Sequence, residues 1–74
     1  MDQKQVIIDE LKRVKQDIEF VLGEIEMTQY TLVKEKLSES DKKYFIKKHK
    51  DLNKSLKSLN KEFASLAKEI EQVN

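Results

Sequence analysis

The strongest constraint on this chain is a pair of hydrophobic seams separated by one short polar break. The first runs Ile7, Leu11, Val14, Ile18, Val21, Ile25, Thr28, Leu32. The second runs Phe45, His49, Leu52, Leu56, Leu59, Phe63, Leu66, Ile70, Val73. Each advances by alternating steps of four and three, which keeps its members on one stripe of a helix, like the a/d seam of a coiled coil. The seams therefore predict two long helices. Composition agrees: 39% of the 74 residues are charged, proline is absent and Gly23 is the single glycine. That profile excludes sandwiches and barrels, and the regularity of the seams excludes a disordered tail.

A single unbroken helix is the rival, because Ser38, Glu39, Ser40 and Asp41 do not forbid one. Heptad phase decides against it. Carrying the first seam forward puts Glu35 and Lys42 at core positions, whereas the second seam enters at Phe45. A continuous coil would need a stammer at that point; a hairpin needs none. Folding the chain back pairs every seam residue from Ile7 to Leu32 with one whose number sums with its own to 77. The layers include Leu32–Phe45, Thr28–His49, Ile25–Leu52, Val14–Phe63 and Ile7–Ile70. The two polar seam positions fall in one layer, and Glu35 with Lys42 forms an expected salt bridge at the closed end.

The expected fold is thus all-α, an antiparallel two-helix hairpin of coiled-coil type, forming a single domain over residues 1–74. The first helix is expected over about 2–37, the turn over about 38–40 and the second helix over about 39–73. Ser38 followed by Asp41 resembles a capping box with a shortened acid, and Ser40 is the alternative cap.

A core of this size stabilises by only about 3–5 kcal/mol, so pairing of hairpins into a four-helix bundle is expected as well. The row after each d position suits that role, being nearly free of charge. It carries Ile8, Lys15, Leu22 and Gln29 on the first helix and Ile46, Asn53, Asn60 and Ala67 on the second. Ile8, Leu22 and Ile46 are assigned to self-association as a homodimer. The opposite edge sets acid against acid, Glu10 near Glu69 and Asp17 near Glu62. It is either solvated at a small cost or neutralised by a basic partner.

Two outward faces carry the functional expectations. The back of the first helix holds a second stripe of Phe20, Gly23, Met27 and Tyr30, continued by Val33 and Leu37. Scattered surface apolars are ordinary, but a clustered row at helical spacing marks an interface. Phe20, Met27, Tyr30, Val33 and Leu37 are therefore the expected partner-binding residues. The back of the second helix holds Lys43, Lys47, Lys50, Lys54, Lys57, Lys61 and Lys68. A solvated face is one reading; contact with phosphates or an acidic partner is the other. That helix lacks arginine to read base edges and aromatics among the lysines to stack on bases, so nucleic-acid binding would be non-specific.

His49 is expected to form a polar layer with Thr28 that fixes register. A pH-sensitive switch is a second reading, with burial and the hydroxyl holding the ring neutral until acid charges it. Metal binding has no second His or Cys to draw on. Without cysteine there is no disulfide or thiolate site. A catalytic triad has no cleft to converge in, and no phosphate loop or metal motif is present. No enzyme activity and no cofactor are expected. No apolar run reaches the roughly 18 residues of a membrane span, and Met1-Asp2-Gln3-Lys4-Gln5 lacks the basic-then-apolar order of a signal peptide. The expectation is a cytoplasmic, non-enzymatic protein–protein interaction module: a small adaptor, chaperone or inhibitor. A dimeric nucleic-acid-binding regulator and a purely structural assembly component are the alternatives.

Overall fold

The protein is described by a computed structural model covering residues 2–73. Two helices, α1 (Gln3–Lys34) and α2 (Glu39–Gln72), pack against each other as a hairpin about 54 Å long and 16 by 14 Å across. Among the described residues there is no strand.

Local chemistry starts each helix. The Asp2 carboxylate accepts from the Lys4 N–H at 3.1 Å, and the Ser38 hydroxyl accepts from the Asp41 N–H at 3.2 Å. Each cap satisfies one of the donors that a helix N-terminus leaves open. At Ser38 only this half of a capping box forms among the described residues, because the Asp41 side chain is too short to return the bond. Glu39 and Asp41 lie in the first turn of α2, where carboxylates complement the positive end of the helix dipole.

The first helix ends three residues earlier than the seam suggested. Glu35 leaves helical geometry with φ −98° and ψ 145°, its N–H donating to the Thr31 carbonyl at 3.1 Å. The reason is distance. Helix axes pack about 8–10 Å apart, and extended chain covers about 3.3 Å per residue, so crossing takes about three residues. Ser38 is already committed as the cap of α2, so Glu35, Lys36 and Leu37 must make the crossing. No described residue has a positive φ, so α1 cannot turn through a left-handed cap and stops in extended backbone instead. With Glu35 outside the helix, the expected Glu35–Lys42 bridge does not form among the described residues.

Burial is uneven between the helices. Ile7, Val14, Ile25 and Thr28 are buried, all on α1, and α2 has no buried residue. The Val14–Phe63 layer shows why: Val14 is 0% exposed while Phe63 is 38% exposed. The four buried side chains are all β-branched and stay close to their own backbone, although Ile18, Val21 and Ile70 on the same seams are only half-buried. Longer leucines and phenylalanines overreach a seam that only one neighbour can cover. Contacts between the helices fall near the expected register, with Gln29 against His49 and Arg13 against Glu62. At the open end, Ile7 shares a hollow with Glu69, Gln72 and Val73.

Candidate interaction surfaces

The stripe on the back of α1 is open to solvent. Phe20 is 69% exposed, Met27 68%, Tyr30 64% and Val33 77%. Gly23 lies between Phe20 and Met27, and a Cβ built there meets nothing within 4 Å, so the notch faces open space. Leu37 differs from the expectation. It lies in the linker beyond the end of α1 and is half-buried, so the helical spacing that would extend the stripe does not reach it. Across the linker, Tyr44 is 61% exposed and stands edge-on to Phe45, with ring centroids 5.1 Å apart at 83°. Edge-to-face contact of this kind is a favoured aromatic geometry.

The edge expected to set acid against acid supplies its own cation. Arg13, the one arginine of the chain, reaches Glu10 at 3.2 Å, Asp17 at 3.1 Å and Glu62 on α2 at 2.9 Å. The hydrogen bond and charge of Glu10, reinforced by Glu62, raise the guanidinium pKa above its ordinary value. A planar fork with five donors suits such a cluster better than an ammonium would. Farther along this edge, Lys48 pairs with Glu24 at 3.6 Å. Sequence reasoning missed Arg13 because it sits one row outside the flanking positions. The usable signal was its spacing, three residues from Glu10 and four from Asp17.

The nearly uncharged edge presents Leu22 at 44% and Ile46 at 49% exposure, with Ile8 half-buried. His49 is half-buried, and Thr28 is not its partner. The Thr28 hydroxyl donates to the Glu24 carbonyl at 2.8 Å, the usual outlet for a threonine inside a helix. His49 instead meets amides on both sides, Gln29 at its Nε2 and Asn53 at its Nδ1, each at 3.2 Å. A neutral imidazole has one donor and one acceptor, so one of these amides must present its oxygen to the ring N–H. The half-buried ring thus has amide partners and no hydroxyl partner.

The seven lysines Lys43, Lys47, Lys50, Lys54, Lys57, Lys61 and Lys68 are all exposed, and none joins an ion pair among the described residues. Three of them bound shallow grooves, one with Tyr44 and Leu52 beside Lys47, another with Leu56 and Asn60 between Lys54 and Lys57. Among the described residues no group of three or more His, Cys, Asp or Glu side chains is placed to hold a metal ion. In the same residues no helix is long and apolar enough to cross a membrane.

No protein-family model matches this chain, and comparison with curated proteins and with solved structures returns no significant match. The surfaces themselves are the ground for a functional reading.

Proposed function

We propose that this hairpin is a non-enzymatic protein–protein interaction module, acting as a small adaptor, chaperone or inhibitor through the outer face of α1. The observation that carries the reading is the exposure of Phe20, Met27, Tyr30 and Val33, each 64% or more, on one helix of a narrow hairpin. An aromatic, a gap at Gly23, a methionine and a tyrosine at three-to-four spacing supply the anchors that a helix-in-groove contact uses. Replacing Phe20 and Tyr30 together with glutamate tests it, read by affinity capture from the native host and by sedimentation of the purified protein. The reading fails if every partner interaction and the oligomeric state survive.

A second surface supports self-association of the same molecule. Leu22 and Ile46 are exposed along an edge where α2 has no buried side chain, and a second hairpin laid there would complete a four-helix bundle. The lysine face supports an alternative as a nucleic-acid-binding regulator, since seven exposed, unbridged ammonium groups suit phosphates. A salt titration with bulk DNA and RNA separates this alternative from the first reading; no binding at low salt removes it.

A further inference from the structure

The charges around the α1 stripe differ from those elsewhere on the hairpin. From residue 16 to residue 33 the chain holds four carboxylates, Asp17, Glu19, Glu24 and Glu26, and no lysine or arginine. At 100° per residue, Glu19 and Glu26 run along one side of the Phe20–Gly23–Met27–Tyr30 stripe, and Asp17 and Glu24 along the other. Asp17 and Glu24 are already tied to Arg13 and Lys48. Glu19 and Glu26 are exposed and join no ion pair among the described residues. An apolar stripe with an unpaired acidic row along one flank selects for charge as well as shape.

We propose that this stripe receives a cationic amphipathic helix, with apolar residues at three-to-four spacing and Lys or Arg along the flank that meets Glu19 and Glu26. The inference rests on the interaction-module reading above and specifies its partner. From Phe20 to Tyr30 the stripe runs about 15 Å, which matches a partner segment of about three turns. The open notch at Gly23 lets that segment approach the α1 backbone between the Phe20 and Met27 anchors. A second copy of this chain fits less well. The outer face of α2 has the lysines, but the residues between them, such as Asp51, Ser58 and Ser65, offer no apolar row to cover Phe20 and Met27. An anionic lipid surface or nucleic acid would be repelled by the flanking acids.

The test uses the intact protein and two synthetic fluorescent peptides sharing one leucine stripe, with lysines on the flanks of one and glutamates on those of the other. Because the α2 lysines can attract the acidic peptide, only binding lost in the Phe20→Ser/Met27→Ser variant is counted as stripe binding. Those exposed positions tolerate serine without unfolding, which circular dichroism verifies. The lysine peptide is expected to bind the stripe about tenfold more tightly at low salt, an advantage that shrinks as salt is added. Glu19→Lys with Glu26→Lys is expected to abolish or invert that preference. Equal stripe binding of the two peptides, or a preference untouched by the double substitution, overturns the charge selection and leaves the module reading standing. Absence of stripe binding by the lysine peptide overturns the cationic-helix inference outright, while the module reading is decided separately by the Phe20/Tyr30 capture experiment.

Discussion

The two helices have nearly the same length and the same seam spacing, yet they do different work. α1 contributes all four buried side chains among the described residues and also carries an exposed apolar stripe on its outer side. α2 contributes a seam of larger side chains, none of them buried, and an outer face of lysines. The difference teaches that seam spacing fixes which way a helix faces, while side-chain shape fixes how well that face is covered. Only compact β-branched residues are enclosed by the single neighbour, and no leucine or phenylalanine of either seam is buried.

Truncations at matched layers test this contrast most severely. Ile25→Ala, at a position 8% exposed, is expected to lower unfolding free energy by about 2–4 kcal/mol. Its half-exposed layer partner is expected to cost less, about 1–2 kcal/mol for Leu52→Ala, because less area leaves water on folding. Urea denaturation at several protein concentrations measures both. Equal losses that depend on concentration would show that something covers the α2 seam, and the asymmetry would then belong to the monomer alone.

The caps come next. Ser38→Ala is expected to cost about 1 kcal/mol, since it removes the acceptor for the Asp41 N–H and frays the start of α2. Thermal melts with Ser38→Asp as a control measure it, and an alanine variant as stable as the parent would remove the cap from the account. Gly23→Ala goes the other way. The added methyl meets nothing within 4 Å, so stability is expected to rise by about 0.5–1 kcal/mol. A melting temperature that falls would mean the notch is not open in solution. The smallest effect belongs to Arg13→Ala. It leaves Glu10, Asp17 and Glu62 without their shared cation and is expected to destabilise slightly at low salt. That loss should fade near 1 M salt, where screening acts over about 3 Å; a salt-independent loss would point to packing of the arginine stem instead.

Much of the fold is legible in the sequence because it follows from period and phase. The seams define two helices, the phase shift across Ser38–Asp41 requires a fold-back, and Ser38 is recognisable as a cap. What stays illegible depends on three-dimensional reach. Leu37 continues the periodicity of α1, yet the need to cross to α2 pulls it out of the helix. Thr28 and His49 share a layer, but the hydroxyl is closer to the Glu24 carbonyl and the ring finds amides one row away. Arg13 is long enough to serve three carboxylates at once, and row-by-row pairing does not foresee a side chain that spans rows. The exposed stripe is legible as a pattern, whereas the acidic rows on its two sides become meaningful only after Arg13 and Lys48 have claimed half of them.

The short linker also sets the order in which the hairpin can assemble. Leu32 and Phe45 flank it, so bringing them together closes a small loop, whereas Ile7 and Ile70 are separated by nearly the whole chain. Loop-closure entropy rises with that separation, and local contacts form faster than distant ones. We therefore expect the helices to zip from the linker outward and to open from the far end first. Amide hydrogen exchange reports this as protection highest beside Leu32 and Phe45 and falling toward Ile7 and Ile70. Uniform protection along both helices would rule it out. With pairing begun at the linker, the non-helical residues 35–37, which interrupt the first helix early, are the pivot from which the two helices close.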